Sequence, residues 1–325
     1  MIEKWCDLNG PVMRLRATDK SLLTPLLEGW ALPETGPKKS ADFTLDIVHG
    51  PFTAAPDEAP LLFSGIVPIS LPCVVRQLGT KEHYAIDMRA SLLLGEREGL
   101  LTIVPGEETL ARSSVAFQVV NAALGLDDQC FLHAAALALP QSESAILIFG
   151  PSGFGKTTTA LSLLPAGFRL LTDDASIVKR AAGGNRVWGL PRPLKVHERS
   201  ASMLPWLAPV LAGQWSAQRE QQVAPAELSR LLGVAPPHQQ PRAIAAIIVL
   251  GKRSEDDHRM RSLAKSDALA AIVSDNISRN LNGISEQQRA RMRRIAEFLT
   301  GKATYELIAG PDLQSLPGTV ISGLG

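Results

Sequence analysis

The sequence predicts an α/β protein with a smaller strand-rich domain at its N-terminus, and two observations support this division. Residues 1–108 contain segments in which apolar and polar residues alternate, at 12–16, 42–48 and 84–88. That alternation is the period of a strand with one covered face. From residue 109 onward, stretches with helical spacing alternate with short continuous apolar runs. This order is typical of a sheet covered by helices on both faces, so we predict domains at 1–108 and 109–325.

The N-terminal region is predicted to be a small antiparallel or α+β domain. Segments 91–94 and 100–104 flank a turn that contains Gly95 and Gly99, which indicates a hairpin. Pro/Gly breaks at 36–37, 50–51 and 56–60 separate the other strands. No recognisable group of reactive side chains occurs here, so the sequence predicts no role for this domain.

The second region is predicted to alternate helices and strands. Its helices are expected at 109–124, ending at Gly125, at 161–164, and from a capping box at Ser285 to about Leu299. Its strands are expected at 131–139, 145–149, 169–172, 243–250 and 305–309. The strand at 169–172 stops at two adjacent aspartates, and the strand at 145–149 leads into a glycine-rich loop.

Composition excludes several classes of protein. The chain has 325 residues, 45% of them hydrophobic, and a net charge of +1, which argues against nucleic acid as a partner. Its three cysteines, Cys6, Cys73 and Cys130, form no CxxC pair, so we expect reduced thiols rather than a zinc site or disulfides. No apolar stretch approaches the roughly eighteen residues of a membrane span, and the N-terminus does not resemble a signal peptide. We therefore expect a cytoplasmic protein with no membrane partner, and a homo-oligomer is compatible with the sequence.

The glycine-rich loop at 150–157 reads GPSGFGKT, a full match to the phosphate-binding pattern GxxxxGK[ST]. Glycines let such a loop curl with positive φ, so that successive N–H groups and the N-terminus of the next helix face phosphate oxygens. A Lys at this position reaches the β- and γ-phosphates, and the next hydroxyl binds Mg²⁺. A glycine-rich turn without a ligand is the weaker alternative. The predicted ATP-binding residues are Gly150, Ser152, Gly153, Phe154, Gly155, Lys156, Thr157 and Thr158, and the predicted metal ion is Mg²⁺.

The adjacent acids Asp173 and Asp174 follow the next short strand after the loop. Ligands of an open α/β sheet lie beyond the carboxyl ends of its strands, so the loop and the acid pair can face one site. Phosphoryl transfer to an alcohol requires one carboxylate to take the hydroxyl proton and another to hold the metal. An isolated Asp-Asp pair is more often a turn or helix cap, but this placement favours a catalytic pair.

These motifs, with His133 and the segment FRLLTDD at 168–174, resemble the catalytic domain of HPr kinase/phosphorylase and of HPr-kinase-like proteins. The resemblance is specific for residues 125–200. It implies a P-loop kinase domain akin to phosphoenolpyruvate carboxykinase and ATP-dependent phosphorylation of a serine. Carried over, Asp173 is the catalytic base, Asp174 and Thr157 serve the metal, and Lys156 and His133 are active-site residues. The alternative for His133 is an ordinary core histidine.

The segment PRPLK at 191–195 also resembles HPr-kinase-like tailoring kinases, which gives Arg192 and Lys195 a role in substrate binding. An ordinary exposed loop is the alternative. The chain departs from true HPr kinases because Thr158 and Thr159 stand where a glutamate is usual, and because the glycine- and glutamate-rich docking signature is missing. These departures favour the divergent group whose members phosphorylate ribosomally made peptides such as lasso-peptide precursors.

Three functions are therefore compared. The favoured one is a serine kinase acting on a protein or peptide with a Ser or Thr acceptor. The second is a small-molecule kinase on the same scaffold, with a closed polar acceptor pocket. The third is a nucleotide-dependent binding or assembly module without catalysis, which would not need the acid pair.

Overall fold

Two nine-stranded sheets organise the residues described by the computed structural model, which are 1–67, 71–112, 114–211, 213–235, 240–277 and 286–325. Contacts divide the chain into two compact units. One is Met1–Cys130 with the described residues of Ser278–Ala290, and the other is Phe131–Ile277 with Arg291–Gly325. The helix that follows the first sheet in sequence belongs to the first unit.

The first unit contains a mixed sheet with the strand order β3-β1-β2-β4-β9-β8-β7-β6-β5. Neighbours β2, β4 and β9 run parallel, and the other neighbours are antiparallel. Its strands are β1 (Ile2–Asp7), β2 (Val12–Ala17), β3 (Glu34–Thr35), β4 (Phe43–His49), β5 (Leu61–Val67), β6 (Leu71–Leu78), β7 (Lys81–Ile86), β8 (Ala90–Leu94) and β9 (Glu98–Ile103). Its helices are α1 (Lys20–Trp30), a 3₁₀ turn (Glu108–Arg112) and α2 (Ser114–Gly125).

The alternating pattern predicted β2 and β4 correctly, because the buried positions of both strands alternate along one face. The expected hairpin is confirmed as the antiparallel pair β8 and β9. The strand expected at 84–88 is shifted: β7 ends at Ile86, because Asp87 and Met88 take left-handed φ values of 46° and 52° in a turn. The single helix expected at 109–124 is a 3₁₀ turn followed by α2.

The second unit contains the other sheet, with the order β10-β14-β15-β18-β12-β11-β13 and with β20 and β19 continuing from β18. A separate ribbon pairs β16 with β17. The strands are β10 (Gln129–Leu132), β11 (Ala135–Ala138), β12 (Ser144–Phe149), β13 (Arg169–Thr172), β14 (Ser176–Lys179), β15 (Arg186–Gly189), β16 (Leu194–His197), β17 (Glu220–Val223), β18 (Arg242–Leu250), β19 (Arg259–Ser262) and β20 (Ala303–Ile308). The helices are α3 (Lys156–Leu163), α4 (Glu198–Met203), α5 (Pro225–Leu231), α6 (Lys265–Asn276), α7 (Glu286–Leu299) and α8 (Leu316–Leu324), with 3₁₀ turns at Leu164–Ala166 and Pro205–Val210. The division between the units falls within β10, after Cys130, and within α7, after Ala290.

The apolar runs of the second unit form its core. Ile146 and Ile148 of β12, Ile248 of β18 and Leu161 of α3 are fully buried together. Several elements predicted from the sequence are confirmed, namely strands β12, β13, β18 and β20 and helix α7. Ser285, where the capping box was predicted, lies outside the described residues. Cys6, Cys73 and Cys130 are free and buried.

The single strand expected at 131–139 is wrong, because the apolar run is divided between β10 and β11. The interruption falls at His133 and Ala134. The backbone N–H of His133 donates to the side chain of Asn276, and that of Ala134 donates to the carbonyl of Leu132. Neither group can then join a sheet ladder, so the chain bends there. Among the described residues, no helix has both the length and the apolar character needed to cross a bilayer.

Candidate active site

The strand directions bring the predicted site residues to one edge of the second sheet. Strands β12 and β13 are both antiparallel to β11, which lies between them, so their carboxyl ends share an edge. The loop at 150–157 follows β12, and Asp173 follows β13. His133 precedes β11, and since β11 runs the opposite way, it starts at the same edge.

The loop at 150–157, which the sequence predicts to bind phosphate, turns at two of its glycines. Gly153 and Gly155 have φ values of 83° and 93°, in the left-handed region that glycine adopts without strain. A Cβ on either glycine would meet no atom within 4 Å, so the conformation, rather than crowding, requires glycine there. Gly155 caps α3 without a side-chain hydrogen bond. The first turn of α3 is therefore free of a side-chain cap, which suits an anion.

Lys156 is buried in the loop, with 8% of its surface exposed. Its Nζ donates a hydrogen bond to the carbonyl oxygen of Gly150 at 2.5 Å and lies 3.8 Å from Oδ2 of Asp275. Burial lowers the pKa of the Lys156 ammonium, while Asp275, Asp173 and Asp174 oppose that effect, and the net pKa lies below its ordinary value. The ammonium is thus held by the loop backbone and lies near the carboxylate of Asp275.

Asp173 contacts the hydroxyl that ends the loop. Thr157 Oγ1 donates to Asp173 Oδ2 at 2.8 Å, whereas Asp173 Oδ1 is buried and has no hydrogen-bond partner. Burial and the neighbouring Asp174 raise the pKa of Asp173 to about 7, against the opposing effects of Thr157, Lys156 and His133. A buried carboxylate oxygen without a partner is a position where a proton or a cation can bind.

Asp174 points to a different partner, since its carboxylate forms an ion pair with Arg192 at 3.2 Å. The Asp174 side chain is 42% exposed and that of Arg192 is 27% exposed, so the pair is open to solvent. Arg192 lies between Pro191 and Pro193 in the connection from β15 to β16. The two adjacent aspartates therefore have distinct surroundings, one closed and one open.

The structure adds two residues to the site that the sequence did not indicate, Asp275 and Asn276 at the end of α6. Asp275 Oδ2 lies 3.1 Å from Nδ1 of His133, and Asn276 Oδ1 accepts the backbone N–H of His133 at 2.7 Å. Burial raises the pKa of Asp275, but His133 and Lys156 outweigh it, so the net pKa lies below its ordinary value. A carboxylate in the last turn of a helix opposes the helix dipole, and that is the available sequence signal.

The other residues predicted for the site are on the loop at 150–157, at the start of α3 and on the β16 and β17 ribbon. Thr158 Oγ1 lies 2.7 Å from Ser200 Oγ of α4, while Ser152 and Phe154 are exposed on the loop. Lys195 is on the β16 and β17 ribbon, where its Nζ lies 4.0 Å from Glu220. Its described ion pair is therefore with the ribbon, not with the acid pair.

The donor set can be compared with what Mg²⁺ requires. Among the described residues, no group of three or more His, Cys, Asp or Glu side chains is arranged to hold a metal ion. Magnesium usually keeps several waters and takes one or two protein carboxylates together with substrate phosphates. The Thr157 hydroxyl and the exposed Asp174 carboxylate therefore fit Mg²⁺ bound with a nucleotide, and not a metal held by protein alone.

Comparison with known proteins shows distant likeness to solved structures. No family model matches the chain. No curated protein matches it either. Among solved structures, the Hpr(Ser) kinase/phosphatase from Coxiella burnetii is similar over 60% of this chain and 93% of that chain, at 12% identity and a TM-score of 0.31. A likeness at this level carries no argument about activity, so the function must be argued from the site itself.

Proposed function

We propose that the chain is an ATP-dependent kinase that transfers the γ-phosphate to a serine or threonine hydroxyl of a protein or ribosomally made peptide. The observation that carries the proposal is the hydrogen bond from Thr157 Oγ1 to Asp173 Oδ2. It joins the phosphate-loop hydroxyl to the carboxylate of the next strand, so nucleotide and acceptor chemistry meet at one point.

In the proposed reaction, the loop amides and Lys156 Nζ bind the phosphates of ATP. Bound Mg²⁺, held by Thr157 and Asp174, would neutralise negative charge on the phosphate oxygens. Asp173 Oδ1 takes the proton of the acceptor hydroxyl as that oxygen bonds to the γ-phosphorus and the bond to the bridging oxygen of ADP breaks. The pKa of about 7 suits this step, because a base that titrates near the working pH accepts a proton efficiently.

The acceptor is proposed to approach from the side of Asp174 and Arg192. Both side chains are partly exposed, and Arg192 provides a guanidinium that can bind a phosphate or a peptide carboxylate. An open edge of this kind suits a peptide more than a small molecule enclosed by a pocket. The resemblance to peptide-tailoring kinases points in the same direction.

The test is incubation of the protein with Mg²⁺ and γ-labelled ATP and three sets of acceptors: serine peptides encoded beside its gene, the same peptides with Ser→Ala, and small alcohols. Mass spectrometry of the products should find label on the serine peptides only. Label on the small alcohols would favour the small-molecule kinase. Tight nucleotide binding without label on any acceptor would favour the binding module and reject the proposal.

A further inference from the structure

His133 is held at two points by consecutive residues of α6. The side chain of Asn276 accepts the backbone N–H of His133 at 2.7 Å, and Oδ2 of Asp275 lies 3.1 Å from the ring nitrogen Nδ1. Asn276 is itself braced, because its Nδ2 donates to the carbonyl of Ile272 at 3.0 Å and only 7% of its surface is exposed. The backbone of His133 is therefore held by a hydrogen bond, and its ring lies in contact with a carboxylate, at the end of one helix.

A charged carboxylate at position 275 is unfavourable for two independent reasons. It lies in the last turn of α6, where the negative end of the helix dipole disfavours a carboxylate. It is also largely buried, with 18% of its side chain exposed, which disfavours charge. The groups that offset these costs are Nδ1 of His133 and, at 3.8 Å, Nζ of Lys156.

The 3.1 Å contact with Asp275 distinguishes the two ring nitrogens of His133, although Oδ2 of Asp275 has no hydrogen-bond partner among the described residues. A neighbouring carboxylate favours a proton on the nitrogen beside it, which here is Nδ1. Nε2 is then the nitrogen whose lone pair remains for substrate, in the ring orientation that the contact with Asp275 favours. With 39% of the side chain exposed, the ring remains accessible at the edge of the sheet that carries the phosphate loop.

We propose that Asp275 is a positioning residue of the phosphoryl-transfer site. It orients the His133 ring so that Nε2 faces the reacting groups, and it is the resting counter-ion of Lys156, which nucleotide phosphates replace. This inference rests on the proposed kinase function. Asp275 is not proposed to contact the substrate. Its effect on turnover is exerted through His133 and Lys156.

The decisive variant is Asp275→Ala. Alanine is the best helix former and carries no charge against the dipole, so α6 should remain intact, although Lys156 loses its counter-ion. We expect kcat to fall by about 10- to 100-fold, the usual loss when a group that orients a ligand is removed. The KM for ATP should not rise, because Lys156 loses a competing carboxylate. Asp267→Ala, at an exposed position in the first turn of the same helix, is the matched control and should leave kcat unchanged.

Two measurements separate positioning from a merely structural role. In a double-mutant cycle, Asp275→Ala should cost little further kcat when His133 is already alanine, because both changes remove the same effect. The conservative Asp275→Glu should recover part of the kcat if it restores a carboxylate to Nδ1. The proposal would be overturned if the losses of kcat in the double mutant were fully additive, or if kcat did not change in Asp275→Ala. It would also be overturned if the loss of kcat were accompanied by an equal rise in KM and a lower melting temperature.

A third measurement does not depend on turnover. Nitrogen NMR of the six histidines at pH about 8, with the His133 signal identified from His133→Ala, should show His133 protonated at Nδ1 in the native protein and a tautomer mixture in Asp275→Ala. The same tautomer in both proteins would reject the proposal. If the tautomer changes as expected but no acceptor is ever phosphorylated, the kinase function fails while the orienting contact stands.

Discussion

Thr157 and Asp173, sixteen residues apart in sequence, are joined by a hydrogen bond of 2.8 Å from the threonine hydroxyl to Oδ2. The bond links the start of α3 to the end of β13 across β11. It leaves Asp173 Oδ1 as a buried oxygen without a partner, beside the hydroxyl that a phosphate-bound metal would use. In the proposed kinase, one oxygen of this carboxylate would accept from the loop hydroxyl and the other would take the proton of the acceptor.

Asp173→Asn should reduce phosphoryl transfer by about 10²- to 10⁴-fold, the usual contribution of a general base. The amide can place its oxygen where Oδ2 accepts from Thr157, so the fold should be kept, but the NH₂ group cannot take a proton. Single-turnover transfer and nucleotide titration measure the two effects separately.

The neighbouring Asp174→Asn is the matched control for Asp173→Asn. It should raise the Mg²⁺ concentration needed for activity more than it lowers the rate at saturating Mg²⁺. If Asp173→Asn weakens binding of Mg²⁺ and ATP as much as it slows transfer, Asp173 belongs to the metal site and the base must be sought elsewhere.

The raised pKa of Asp173 predicts a loss of metal-free stability as pH rises from about 4 to about 7. Over this range the folded state keeps a proton that the unfolded state has released, so unfolding becomes easier as pH increases. The effect is at most about 4 kcal/mol, since each pKa unit is worth about 1.36 kcal/mol. Thermal unfolding without Mg²⁺ should therefore show a smaller decline across this range in Asp173→Asn than in the native protein. Parallel pH profiles for the two proteins would mean that Asp173 titrates normally.

Lys156→Met should abolish detectable transfer and weaken ATP binding, because the substitution keeps an unbranched side chain, one atom shorter, but removes the charge that would face the phosphates. The fold should persist, since the ammonium is a buried charge and its loss also removes a desolvation cost. Calorimetry with MgATP and thermal unfolding give the two results. Normal transfer by this variant would remove the loop from the mechanism.

The two cations predicted to bind substrate should behave differently. Arg192→Ala should raise the KM for the peptide acceptor several-fold without changing ATP affinity, because Arg192 pairs with Asp174 at the open side of the site. Lys195→Ala should have little effect on either, since Lys195 is exposed and its ion pair is with Glu220 on the ribbon. Equal rises in acceptor KM would show instead that the ribbon also contacts substrate.

Local patterns in the sequence were sufficient to predict a loop at 150–157, the strands β12, β13 and β18, and the position of Asp173 just beyond the end of a strand. These features depend on residues adjacent in sequence, where apolar runs and glycine spacing determine the backbone. His133 was identified only through a family resemblance, and its surroundings were predicted wrongly as the interior of a strand. The bend that interrupts the strand at His133 depends on a hydrogen bond to Asn276, 143 residues away in sequence. No local sequence pattern indicates that contact.

The same limit applies to Asp275 and to the distinct environments of the acid pair. Asp173 and Asp174 are identical in sequence terms, and only the fold makes one contact Thr157 and the other Arg192. The sequence also did not show that β11 runs antiparallel to β12 and β13. This direction brings His133 to the same edge of the sheet as the loop at 150–157.

Gly155→Ala should weaken MgATP binding by roughly tenfold or more while leaving the rest of the fold intact. The φ of 93° at Gly155 is outside the range that alanine adopts without strain, which costs about 1–2 kcal/mol, although a Cβ would meet no neighbouring atom. The strained loop can relieve this cost only by turning its amides away from the phosphates. Gly183→Ala is a suitable control, because that glycine also has open space around it and lacks a positive φ. Titration with MgATP should separate the two variants, and equal affinities for ATP would mean that the curl at Gly155 is not needed to bind phosphate.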